Sequence, residues 1–229
     1  MKLLIVSDIH GNYDAISVLN EMEKYDAMVF LGDAVDYGPE PGKVLDFLKS
    51  NSSVNIMGNH DNAVLTGKSC NCSFDMLELS DYTRKEISEK LLSKNDLDFM
   101  KGFKLNYTME FDNLKLYMVH ASPYNNLDGY LFANEAEKVF RDKEFFNSYN
   151  YIMVGHTHFM MMYRNKIINP GSAGQPRDFI NMPSYAILDT DQNAITYKRF
   201  HYDNKKMLEK LKPLMPDQEL YKKLEKYYL

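Results

Sequence analysis

Little in this sequence points toward a membrane, a secretory route or a nucleic-acid backbone. No apolar run approaches the ~18 residues that a spanning helix needs. The opening MKLLIVSD carries one lysine and too short an apolar stretch for a secretory signal, so the chain is expected to be cytoplasmic. Lys and Arg number 27 against 32 Asp and Glu, a net charge of −5. That leaves no basic surface for long nucleic acid, although a small nucleotide held through metal ions stays open. Cysteine is nearly absent, with only Cys70 and Cys72, one residue apart. A disulfide across that spacing would be strained, and one C-x-C without partners is a weak metal signal; both are expected to be reduced loop thiols. Internal repeats and low-complexity segments are absent.

What the chain does have is one sentence repeated five times: an apolar run that ends in Asp, Asn or His. LLIV precedes Ser7-Asp8-Ile9-His10, and MVFL precedes Gly32-Asp33-Ala34-Val35-Asp36. VNIM precedes Gly58-Asn59-His60-Asp61, LYMV precedes His120, and YIMV precedes Gly155-His156-Thr157-His158. Strands that deliver acids at their C-terminal ends are the usual layout of an open α/β site. At 229 residues, 45% hydrophobic and 26% charged, the chain suits one domain with a large core.

The expected order starts as strand–helix–strand: a strand at 2–7, a helix at 13–24 capped by Asn12, strands at 27–31 and 54–57, and a helix at 42–50 between them. Residues 61–104 depart from this rhythm. They are polar, contain the cysteine loop and a helix at 81–92, and show no ligand set. They are read as an insertion or cap where substrate choice resides, with plain helical packing as the equal alternative. From residue 107 hairpins take over, the first turning at Asp112-Asn113, with a helix at 133–146 and a charged helical tail at 204–229 that covers an outer face. The sum is an α/β chain of two mixed sheets face to face with helices outside. The run Met160–Met162 is read as strand packing rather than a ligand groove.

Of six histidines, five follow apolar strands, which is hard to explain as structure. Asp8 and His10, like His156 and His158, are two apart, and in extended backbone such pairs point the same way. Imidazole, carboxylate and amide together suit manganese, iron, zinc or nickel and disfavour a thiolate or calcium site.

The combination of these blocks, spanning roughly residues 1–200, resembles the calcineurin-like metallophosphoesterases. The GDAVDYGP block and the Asn169–Arg177 stretch look most like their small prokaryotic phosphodiesterases. The resemblance implies a four-layer αββα sandwich with two metals about 3.5–4 Å apart, manganese foremost. It assigns Asp8, His10, Asp33 and His158 to one metal and Asp33, Asn59, His120 and His156 to the other, with Asp33 bridging. His60, oriented by Asp36, is left to act on the substrate as phosphate stabiliser or acid, while a hydroxide shared by the metals is the nucleophile.

Relatives acting on phosphoproteins or diadenosine tetraphosphate carry Arg after the second Asp, where this chain has Tyr37. Arg177 is read as a surface salt-bridge former and Asn169–Gly174 as a tight turn. The implied activity is hydrolysis of a small phosphate ester, foremost a diester. A monoesterase, nucleotide phosphatase or nuclease is the enzyme alternative. A non-catalytic protein-binding scaffold of the same fold is disfavoured because every metal position is filled.

Overall fold

The structure, a computed structural model, describes residues 1–229, the side chain of Asp75 excepted. Ten strands form two five-stranded sheets. The first sheet contains β1 (Lys2–Val6), β2 (Ala27–Phe30), β3 (Val54–Asn55), β9 (Ser184–Asp189) and β10 (Ala194–Arg199), in the order β10-β9-β1-β2-β3. The second contains β4 (Asn106–Phe111), β5 (Leu114–Val119), β6 (Tyr151–Met153), β7 (Met160–Tyr163) and β8 (Ile167–Pro170), in the order β4-β5-β6-β8-β7. Each sheet has a parallel centre, β1-β2-β3 and β5-β6-β8, flanked by antiparallel hairpins.

Alternation along the strands builds four layers. Leu3, Ile5, Val29 and Leu31 face Leu116, Met118, Met153 and Ile168 in one core between the sheets. The intervening residues Leu4, Val6, Met28 and Phe30 turn outward onto α1 (Tyr13–Met22) and α2 (Pro41–Asn51). On the other side Val119, Ile152 and Ile167 meet Ala136, Val139 and Phe146. These last belong to two further helices, at Ala133–Arg141 and Lys143–Asn147. The αββα sandwich expected from the sequence is therefore the observed fold, and because the central strands run parallel, their C-terminal ends share one edge.

Several elements differ in detail from expectation. The helix expected at 133–146 is two helices, broken at Asp142, whose side chain caps the second by accepting from Phe145 N–H. Between β3 and β4 lie α3 (Asn59–Thr66), which sequence reading missed, and α4 (Phe74–Thr83). After these come a π-turn at Arg84–Ser88, α5 (Glu89–Leu91) and α6 (Lys94–Met100). With α7 (Ala133–Arg141) and α8 (Lys143–Asn147) on the second sheet, the tail adds α9 (Asn204–Leu211) and α10 (Gln218–Glu225). The tail packs on helices: Met207, Leu211 and Leu224 join Met76, Leu79, Ile87 and Tyr37 in a separate cluster. No helix among the described residues is long and apolar enough to cross a membrane.

Candidate metal centre

Five strand ends feed one buried cluster. Asp8 and His10 follow β1, Asp33 follows β2, and Asn59 follows β3; His120 follows β5, while His156 and His158 follow β6. All seven residues are buried. Their ligating atoms fall into two adjoining groups, Asp8–His10–Asp33–His158 and Asp33–His120–His156, with Asp33 in both. Asn59 joins the second group: its Oδ1 lies 3.1 Å from both His120 Nε2 and His156 Nδ1. Asp33 Oδ2 sits 3.2 Å from His120 Nε2 and 3.7 Å from His10 Nε2.

The pairs Asp8/His10 and His156/His158 converge, but not through extended backbone as expected. All four residues have left-handed φ, of 55°, 49°, 66° and 61°, as do Asp33 (63°) and Asp36 (75°). The chain coils tightly at the ends of β1, β2 and β6, and this brings alternate side chains to one centre. Two glycines permit the close approach of the loops. Gly32 has φ +104°, and a Cβ there would fall 2.5 Å from His120 Nδ1; one at Gly58 would fall 2.0 Å from Asp33 Oδ1.

The donors are aimed by their other polar atoms. His10, His120 and His158 donate Nδ1–H to the carbonyls of Val35, Leu31 and Gln175, which aims each Nε2 inward and, in the neutral rings of His10 and His158, leaves it with a lone pair. His10 Nε2 and His158 Nε2 then stand 3.3 Å apart. Two lone pairs at that separation repel, and a cation between them removes the repulsion. Asp8 Oδ1 and His156 Nε2 are buried without a hydrogen-bond partner, a cost that proteins rarely bear without a ligand. Burial, with the charge of Arg177 also contributing, holds the imidazoles of His10, His156 and His158 well below their usual pKa, in the neutral form that ligates. Burial pushes Asp8 up to about 7. At His120 burial opposes protonation, yet the neighbouring Asp33 lifts its pKa to about 9. The donor set fits divalent ions of the imidazole- and carboxylate-binding kind.

His60 lies outside both groups. Its Nδ1 is 2.7 Å from Asp36 Oδ2, and Asp36 also accepts from Ser80 Oγ and Thr83 Oγ1 on α4. Burial works against a charged His60, but the carboxylates of Asp33 and Asp36 outweigh it and raise its pKa.

Other residues were invisible as site residues in the sequence. The Asp61 carboxylate accepts from the backbone N–H groups of Asp33, Ala34 and Gly58 at 2.9, 2.8 and 3.0 Å, bracing the loop that carries Asp33. The Cys70 carbonyl accepts from Asn59 Nδ2 at 2.8 Å and so turns Asn59 Oδ1 toward the histidines. Cys70 and Cys72 are joined as a disulfide, not separate thiols, and Cys72 Sγ lies 3.4 Å from His60 Nε2. The 61–104 stretch thus reaches the site through the Asp61 carboxylate, the Cys70 carbonyl and the disulfide beside His60.

Arg177 also departs from its expected role. Among the described residues it forms no salt bridge; its guanidinium donates to Gln175 Oε1 and lies over the rings of Tyr37 and Tyr227. His201 is exposed and belongs to neither donor group.

An αββα sandwich with two adjoining donor groups sharing one aspartate at the strand ends defines the metal-dependent phosphoesterase class. The chain belongs to the calcineurin-like phosphoesterase superfamily, whose domain it matches over residues 1–193. It is 31% identical over 231 residues to an uncharacterized protein of Methanocaldococcus jannaschii, covering 91% of each chain. It is similar over its whole length to the crystal structure of a metallophosphoesterase from Sphaerobacter thermophilus, with TM-score 0.80, 25% identity and 100% of both chains covered. A symmetrical bis(5′-nucleosyl)-tetraphosphatase of Baumannia cicadellinicola is 31% identical over 159 residues, 63% of this chain and 51% of that one.

Proposed function

We propose that this protein is a dimetal-dependent hydrolase that cleaves a diester of a small phosphate substrate. The observation that carries the reading is the pair of adjoining donor groups sharing Asp33, with the His60–Asp36 pair beside them. In this reading Asp8, His10, Asp33 and His158 hold one ion, and Asp33, Asn59, His120 and His156 hold the other. Manganese is first in preference, with iron, nickel or zinc also compatible with the donors. When bound, such ions supply Lewis acidity toward the phosphoryl group and acidify water.

The chain's own residues do the rest. Asp33 offsets the charge of two cations with its two oxygens, and Asn59 adds a neutral donor. Asp36 holds the Nδ1 proton of His60, leaving Nε2, which lies beside Cys72 Sγ, to carry the proton needed by a departing alkoxide. Ser80 and Thr83 keep Asp36 in place, so α4 belongs to the machinery, and residues 61–104 act as a cap on a single 1–229 domain.

One feature favours the monoester alternative. Arg177 is a cation near the site without a carboxylate partner, suited to the extra charge of a terminal phosphate. The test compares bis(p-nitrophenyl) phosphate with p-nitrophenyl phosphate on manganese-loaded protein. Faster release from the diester, abolished by a chelator and restored by manganese, is expected. A faster monoester selects the alternative, and no turnover of either ester with both ions bound overturns the proposal.

A further inference from the structure

Between β5 and α7 the chain leaves two large rings partly uncovered. Tyr130 is 37% exposed and Phe132 39%. The Tyr130 ring lies 4.2 Å from the ring of His156, centroid to centroid, at 37°. Phe132 is parallel to Tyr130 within 4°, with centroids 6.1 Å apart, and Phe159 meets Phe132 edge-on at 5.9 Å. Neither Tyr130 nor Phe132 joins a hydrophobic core cluster. An aromatic surface directly against a candidate metal donor is a place for something flat.

The Tyr130 ring is also one wall of a cavity of about 240 Å³, which Ser122, Glu135 and Lys138 help to line. Tyr130 lines this cavity and also packs on His156, so it links the cavity to the half of the cluster formed by Asn59, His120 and His156. On its wall Glu135 Oε2 is buried without a hydrogen-bond partner; Asn134 Nδ2 satisfies only Oε1. A buried acceptor left over in a cavity calls for a donor from a ligand. A flat ring to stack and an N–H or O–H to donate are together the two faces of a nucleoside.

We infer that Tyr130, Phe132 and Glu135 form a nucleoside subsite, so that the ester held at the metal centre is that of a nucleotide. The base stacks on Tyr130 and Phe132, and an amino group or ribose hydroxyl donates to Glu135 Oε2. This rests on the proposed hydrolase reading but is testable apart from it. Two esters with the same leaving group separate the contributions: the p-nitrophenyl ester of thymidine 5′-monophosphate and methyl p-nitrophenyl phosphate.

The wild-type protein should prefer the nucleoside ester in kcat/KM, and Phe132→Ala should reduce that preference about tenfold, mainly through KM, which is within the range for loss of one stacking ring. Tyr130→Ala should reduce it at least as much, and Tyr130→Phe should restore it. Equilibrium dialysis of adenosine against ion-free protein gives the second readout: binding is expected, and Glu135→Ala should weaken it. If neither ester turns over but adenosine binds through these residues, the hydrolase reading fails and the subsite stands. Turnover of both esters with a preference ratio unmoved by Phe132→Ala and Tyr130→Ala overturns the subsite and leaves the hydrolase. Equal losses on both esters in Tyr130→Ala, with Phe132→Ala silent, also overturn it, since Tyr130 then only supports His156.

Discussion

The floor of the site and its rim are built by opposite rules. On the floor nearly every donor is fixed twice, once by burial at a strand end and again by a hydrogen bond from its other polar atom, as His120 is by Leu31 O and Asn59 by Cys70 O. On the rim, Tyr130 and Phe132 are half exposed and Arg177 rests on two rings. The floor tolerates one arrangement because its chemistry does. The rim is free to change, and a change there alters what is admitted rather than what is done to it. His60 stands on the border, anchored by Asp36 yet touching Cys72 of the rim.

The sharpest way to break this contrast is at the shared residue. Asp33→Asn should lose both ions and all measurable turnover, and elemental analysis would check it; two tightly held ions in that variant would dismiss Asp33 as a bridge. His60→Asn comes next. It should keep both ions and lose about 10²–10⁴-fold on alkyl esters, the range for a positioned general acid, with a smaller loss on nitrophenyl esters. Loss of an ion there would move His60 from the border onto the floor.

A third experiment tests whether floor and rim are separable at the cysteine loop. Because the Cys70 carbonyl orients Asn59, replacing residues 68–72 by a Gly-Ser turn should weaken one ion about 10–100-fold, as loss of an outer hydrogen bond does elsewhere. The other ion should stay in place. Unchanged affinity for both ions would make the loop pure rim.

The mildest effect is one of pH. In the ion-free protein His120 keeps its proton up to about pH 9, whereas ligation takes the neutral ring. Ion uptake at pH 8 should therefore release protons, and affinity should rise between pH 7 and 9, about tenfold per unit for one displaced proton. Calorimetry in buffers of different ionisation heat would measure it. Uptake without proton release would remove His120 from the donor set.

The same contrast governs what the sequence discloses. The four layers and the cluster of Asp, Asn and His at the strand ends were legible because each follows an apolar run; which seven form the candidate donor set came from the resemblance, since His60 follows the same run as Asn59. Asp112 and Asn113 announced their hairpin, and Asn12 its helix, through local chemistry. What stayed hidden joins distant segments or works through backbone. Thr83 reaches Asp36 across 47 residues, and Cys70 acts on Asn59 through a carbonyl, which every residue has. The α3 helix was missed because its first turn, Asn59-His60-Asp61, reads as ligands rather than as a helix start. Arg177 looked like an ordinary surface cation because Tyr37 and Tyr227, which lie under it, are remote in sequence.

The left-handed residues at the strand ends bear on how such a chain can drift over generations. Aspartate and histidine in that conformation each cost on the order of 1 kcal/mol relative to a relaxed backbone, and Asp8, His10, Asp33, Asp36, His156 and His158 all adopt it. Glycine would relax the backbone at any of them but would strip the buried partners of the lost side chain, as His60, Ser80 and Thr83 would be stripped of Asp36. Six unrelaxed positions around one centre make every such exchange a choice between backbone relief and the site, and a redesign that smooths them away would leave an empty fold.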